Sequence, residues 1–318
     1  MAIATSQMSM ANGSQSDGHN MMVEIRRLLL EVGLQEIIRD DSYDASESGS
    51  VDQVPTTTGA YSRWMVFGFS DSHQQNHPVT IRFRVGYRAM GSTGTSYYLY
   101  RIQLQVSEGV NDAGGVDGRN FASASGSGYS SNSSHSYLGQ GSHAGTFVRY
   151  TGDSLTFIFG LKGLNMSSSG RYRVSSFLHL ERLRDMNGAV ISGFSGIADS
   201  DNFSSSTGGA YNTQIYYPSA ENSVGARSDL MSRAGGQLGL MEAGQPVIAP
   251  LFTWSYTEDK VLPMRRAYSV SKSVLNGNDV LTVTLDFTGE EKKYLIVDPE
   301  ALGYYPDLST CAWVFEWE

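Results

Sequence analysis

Gly152-Asp153-Ser154-Leu155 is the stretch whose residue types and spacing come nearest to chemistry. It has the form of a serine-nucleophile signature, in which a base must take the hydroxyl proton before the oxygen attacks a carbonyl. Esterases that carry it supply the base as Asp-x-x-His near the C-terminus. Here the only histidine beyond Ser154 is His179, and position 176 is Ser176. Residues 155–161 alternate like a strand where a helix is wanted to present the serine. Gly152-Asp153 therefore reads as a turn between strands, and a hydrolase ranks third among the functional readings. His73 and His77 have the four-residue spacing of helical zinc ligands, but Pro78 follows and Gln74 stands where a general-base Glu belongs. Asp199, Asp201 and Asn202 lack the twelve-residue spacing of an EF-hand. Tyr97, Tyr98, Tyr100, Tyr216, Tyr217, Tyr304 and Tyr305 have rings that stack on sugars, and equally fill sheet faces and subunit interfaces. Neither a metal nor a cofactor is expected, and no catalytic residue is assigned.

The elements that would position such groups are mostly strands. Residues 79–88 alternate without a break. Ile81, Phe83, Val85 and Tyr87 share one face; Thr80, Arg82, Arg84 and Arg88 share the other. Gly91-Ser92-Thr93-Gly94 supplies turn chemistry. A second alternating run follows, with Tyr98, Tyr100, Ile102, Leu104 and Val106 on one face and Arg101 on the other. Two long strands with one apolar face need a second layer. Further strands are expected over 62–69, 146–150, 155–161, 172–182, 189–194, 247–254, 261–270, 281–287, 293–297 and 313–317. Residues 108–145 and 195–245 read as long loops rich in Gly and Ser. Met22, Ile25, Leu29 and Val32 recur at helical spacing within 21–38, with Asn20 as cap and Gly33 weakening or ending the helix. An acidic, Ser-rich linker follows from Asp40.

The expected fold is mainly β. It is a β-sandwich or jelly-roll-like domain with an N-terminal arm and one helix. The division is 1–59 for arm, helix and linker, 60–245 for the core with its long loops, and 246–318 for C-terminal strands. Those last strands complete the same domain or form a second small one. The chain has 318 residues, 40% hydrophobic and only 17% charged, with 35 Gly, 18 Tyr and 13 Phe. That composition suits a turn-rich β protein with a real core. Its net charge of −9 and pI near 5.2 argue against non-specific nucleic-acid binding. Cys311 is the only cysteine, so no intrachain disulfide is available. No signal peptide and no membrane span are read from the sequence, and the product is expected to be cytosolic when made.

Trp64 with Phe67-x-Phe69-x-Asp71, the strand after Pro78 ending at Gly86, and Asp112-Ala-Gly-Gly form the first half of a recognisable pattern. Gly152-Asp153 before an aromatic strand, then Glu181-Arg182-x-x-Asp185 with Asn187-Gly188, complete it. Over residues 61–194 this pattern resembles virion structural proteins of tailed bacteriophages. The resemblance implies a non-enzymatic virion component of the tail, baseplate, neck or head surface. Its partners would be other virion proteins and copies of itself, with neither nucleic acid nor membrane among them. A carbohydrate- or receptor-binding adhesion module, directed at a host-surface glycan, is the alternative. The residues expected at interfaces are Met22, Ile25, Leu29 and Val32 on the helix, and Arg82, Arg84, Arg88 and Arg101 on the basic strand face. The helix stripe is expected to dock on another subunit, with the chain's own sandwich as the competing seat.

Overall fold

The computed structural model describes residues 1–9, 15–38, 64–92, 95–110, 116–127, 143–161, 176–200, 212–216, 248–255, 260–271, 280–284, 289–297 and 311–317. From the N-terminus run β1 (Ala2–Ser9), α1 (Gln15–Glu31), β2 (Gln35–Ile38), β3 (Met65–Gly68), β4 (Thr80–Ser92) and β5 (Thr95–Val110). Next come β6 (Val116–Ser127), β7 (His143–Tyr150), β8 (Ser154–Leu161), β9 (Ser176–Arg184), β10 (Val190–Ser200) and β11 (Asn212–Tyr216). The chain closes with β12 (Ile248–Ser255), β13 (Lys260–Ser271), β14 (Val280–Thr284), β15 (Glu291–Val297) and β16 (Cys311–Glu316). The described chain is thus mainly β with a single helix, and the strand pairings among the described residues are antiparallel.

Three sheets result. The first has the order β1-β7-β8-β9-β10-β11, the second β2-β3-β4-β5-β6, and the third β12-β13-β16-β15-β14. The six-stranded sheet is the middle layer, because residues of alternate parity face opposite ways. Ala4, Val148, Tyr150, Leu155, Phe157, Leu178, Leu180 and Phe194 share one core with Met65, Phe67, Ile81, Phe83 and Val106 of the β2–β6 sheet. On the opposite face Phe147 stacks on Trp317 at 5.0 Å, and the His179 ring lies 5.2 Å from Phe315 of the C-terminal sheet. The C-terminal sheet has a further cluster of its own, built from Val270, Val283, Tyr294, Ile296 and Val314. Sheets buried on both faces carry apolar residues at successive positions. Phe147-Val148 and Phe157-Ile158 do so.

The helix belongs to the first core. Met21, Met22, Ile25, Leu28, Leu29 and Val32 are at most 3% exposed there. Each such burial contributes roughly 1.5–3 kcal/mol. That offsets the marginal stability of a helix this short in water. Gly33, at φ +96°, ends it in the conformation that glycine adopts without a Cβ clash. Its N–H bonds Leu30 O at 2.9 Å and the Leu34 N–H bonds Leu29 O at 3.0 Å, which is the Schellman arrangement. Leu29 and Leu34 both sit in the core.

Several segments differ from the sequence reading. Residues 2–9 are a strand paired with β7, register Ala2↔Tyr150 to Ser9↔His143, and not a free arm. The helix begins at Gln15, and residues 35–38 are strand where a further helical turn was expected. β6 and β11 lie inside the stretches read as loops. The N-terminal segment therefore does not stand apart from 60–245. It supplies an edge strand to the middle sheet, the helix to the core, and β2 to the second sheet. Residues 248–316 form a five-stranded sheet of their own.

Candidate functional site

Among the described residues, strand β9 carries three buried titratable or charged side chains close together, His179, Glu181 and Arg182. Leu178, Leu180 and Arg182 face the first core, while His179 and Glu181 face the C-terminal sheet. Arg182 is 1% exposed, His179 0% and Glu181 2%. Buried charges at this depth must be paired and hydrogen-bonded.

Arg182 is satisfied from the segment that joins β3 to β4. Its Nε donates to Asp71 Oδ2 at 2.6 Å and its Nη2 to Asp71 Oδ1 at 2.7 Å, a bidentate fork. Nη2 also donates to Gln74 Oε1 at 2.9 Å, and Nη1 to the His77 carbonyl. The guanidinium carbon sits 5.0 Å from the Phe69 ring centre. Gln74 is itself fixed, accepting from the Val79 N–H at 3.1 Å and donating to its carbonyl at 3.0 Å. Tyr150 adds a strut. Its hydroxyl accepts the Ser70 N–H at 2.8 Å and donates to Gly152 O at 3.1 Å.

The other face holds a hydroxyl, an imidazole and a carboxylate in line. His179 Nδ1 is 2.7 Å from Thr156 Oγ1 and His179 Nε2 is 2.9 Å from Glu181 Oε1. An ionised Glu181 only accepts, so Nε2 carries the proton facing it. This is the geometry of a nucleophile, base and orienting acid. Thr156 is 1% exposed, however, and Phe315 covers the imidazole, so no carbonyl reaches the hydroxyl in this arrangement. Glu181 instead takes main-chain donors from β13: Arg266 N–H at 2.7 Å on Oε1 and Arg265 N–H at 2.8 Å on Oε2. Burial pushes its carboxyl up. The His179 bond and the two amides outweigh that and hold it below the usual range.

Asp153, in the turn before β8, anchors three guanidinium groups. Arg265 Nη2 lies at 3.1 Å, Arg184 Nη2 at 3.3 Å and Arg266 Nη2 at 3.7 Å. Burial pushes this carboxyl up as well; Arg265, Thr151 and Arg266 together hold it low. Glu316 Oε2 then bridges Arg149 and Arg266, each at 2.8 Å. Burial draws Arg149 below the ordinary arginine value, with Glu316 opposing.

Ser154 is held inside the fold behind a turn. Gly152 and Asp153 form the tight turn from β7 to β8, with Gly152 at φ +88° and Thr151 N–H on Ser154 O at 3.0 Å. Ser154 is 1% exposed and its hydroxyl meets Thr151 Oγ1 at 2.6 Å. The single later histidine takes Thr156 as its partner instead. His73 and His77 sit in a turn, and His77 Nδ1 contacts Ser192 Oγ at 3.1 Å. Among the described residues no group of three His, Cys, Asp or Glu is placed to hold a metal ion.

The residues expected at interfaces are divided. Met22, Ile25, Leu29 and Val32 are buried in this chain's own core, because the helix packs between its own sheets. The stripe expected to meet another subunit has its seat within the chain. Arg82 and Arg84 stand over the Trp64 ring, with guanidinium carbons 4.4 and 4.3 Å from its centre. Burial draws both arginines below their ordinary value, and Arg84 adds to the effect on Arg82. Arg88 and Arg101 lie in β4 and β5, and their side chains fall outside the described ones.

No single catalytic motif pointed to Asp71, Arg182, Glu181 and Asp153 as one assembly. They were nevertheless among the residues that carried the resemblance, and the fold brings them together around β9. Asp185 and Asn187-Gly188 close the adjacent β9–β10 turn: Asp185 Oδ1 accepts the N–H of Asn187 at 2.9 Å and of Ala189 at 2.8 Å. Asp112-Ala-Gly-Gly lies outside the described residues. Fold and site together define a mainly-β protein whose buried charges bind layer to layer. Neither a protein-family model nor a curated protein matches the sequence.

Proposed function

We propose that the chain is a non-enzymatic structural subunit of a tailed-phage virion. It acts through contacts with copies of itself and with other virion proteins on the tail, baseplate, neck or head surface. The resemblance over residues 61–194 supplies the class, and one structural observation carries the mode of action. Among the described residues β4 pairs with β3 as far as Phe83↔Met65, and β5 pairs with β6 from Arg101↔Ser127 onward. Between them Tyr87↔Tyr100 to Ser92↔Thr95 continue as a two-stranded ribbon among the described residues. Six such pairs reach about 20 Å past the sheet. A ribbon of two strands is marginal alone in water, and the edge of such a ribbon takes a further strand through its main-chain donors and acceptors. Assembly gives such a ribbon a partner.

The test replaces residues 87–100 with an Asn-Gly turn. The shortened protein is expected to fold with unchanged circular dichroism and to be missing from assembled particles in a complementation assay. Full incorporation without the ribbon would overturn the proposal.

A further inference from the structure

We propose that the buried Glu181–His179 pair is an acid-releasable latch between the middle sheet and the C-terminal sheet. Glu181 stands on β9, yet three of its four close donors bind it across or beside the layer boundary. They are the N–H groups of Arg265 and Arg266, at 2.8 and 2.7 Å, and the Arg265 Nε at 3.6 Å. The fourth is His179 Nε2 at 2.9 Å. The three β13 groups can only donate, and His179 Nε2 donates while Glu181 is ionised, so the site fits a carboxylate. Protonation removes the charge that draws the β13 donors, inside a volume where Glu181 is 2% exposed. Buried donors left facing a neutral group weaken the contact between the layers.

Charged and titratable groups surround the pair on every element packed against it. β13 presents Arg265, Arg266 and Tyr268, β16 presents Glu316, and β7 presents Arg149. The turn before β8 presents Asp153, and β9 itself presents His179 and Arg184. Asp153 reaches the same two β13 arginines and is also held low. Both carboxylates therefore favour the closed boundary while ionised. For groups with depressed values in the fold, that stability is fully present above the unfolded carboxylate range, near 4. It is lost as pH falls through the folded values. The C-terminal sheet keeps its own cluster of Val270, Val283, Tyr294, Ile296 and Val314, so it can separate as a unit. Arg182 and helix α1, on the far face of the middle sheet, do not depend on Glu181.

Hydrogen exchange with mass spectrometry on the full chain, between about pH 6 and pH 3, tests the latch. Protection factors corrected for intrinsic exchange are compared between β13 and β16 and helix α1. The expected result is that β13 and β16 lose protection at least tenfold at a pH where α1 retains its own. In Glu181→Gln the β13 and β16 protection is expected to be low already at neutral pH, and its pH dependence to shrink at least threefold. Loss of protection by all three elements at one pH in the unmodified protein would overturn the latch, whether or not the variant folds. So would a Glu181→Gln variant with the unmodified pH profile.

Discussion

The two faces of β9 hold their neighbours with opposite chemistry. On one, Arg182 is the hub, and a carboxylate, an amide oxygen and a carbonyl come to it from the β3–β4 connection. On the other, Glu181 is the hub, and main-chain N–H groups come to it from a separate sheet. A guanidinium stays charged at any pH at which a protein folds. A carboxylate does not. The first face is therefore organised around a charge that cannot be switched off, and the second around one that a proton removes. Buried ion pairs are weak contributors to net stability, but breaking one by removing a partner is costly. Register between layers is the better description of what both hubs provide.

The comparison is broken most severely by Arg182→Met. It leaves Asp71 beside an apolar surface without its fork, and a loss of about 3–5 kcal/mol is expected in urea unfolding. Adding Asp71→Asn should recover part of that loss, and a double variant no better than the single one would show that Asp71 is not the main partner. Next comes Glu181→Gln, with an expected loss of about 1–3 kcal/mol because two main-chain donors then face an amide in place of a carboxylate. The gap between the variant and the unmodified chain should start to narrow as pH falls through the unfolded carboxylate range, near 4, and close only once pH has passed below the lowered folded value of Glu181. Unfolding free energies at a series of pH values read this directly. Ser154→Ala removes one bond to Thr151 and should cost about 1 kcal/mol; a serine-directed covalent probe that labels the folded chain at Ser154 would contradict its placement. Smallest is Arg27→Ala on α1. Its bonds to Glu24 and Glu31 lie on the surface, and a change of about 0.5 kcal/mol is expected, vanishing in high salt.

Much of the frame was legible because it rests on local pattern. The alternation over 79–106 marks β4 and β5, the Gly152-Asp153 turn lies where turn chemistry put it, and Gly33 closes the helix. β6 was illegible for a physical reason. Phe121 is the one large apolar residue between Gly118 and Ser127, so the strand is defined by pairing with β5 and not by its own side chains. β1 has the same character, with Ala4 buried and β7 supplying the hydrogen bonds. The Arg182 and Glu181 hubs escaped because their partners lie 111 and 84 residues away. Adjacent charges at 181 and 182 on a strand did mean that each face would receive one. Which segments came to meet them was a property of the layers.

Native-state hydrogen exchange on Arg182→Met and Glu181→Gln, measured side by side at neutral pH, asks most directly whether β9 holds its two neighbours separately. The expected result is regional. Arg182→Met loses protection over residues 69–83 and keeps it in β13 and β16, while Glu181→Gln loses it in β13 and β16 and keeps it over 69–83. If either variant loosened both regions to the same degree, the two faces would be one cooperative unit and the contrast between them would fail.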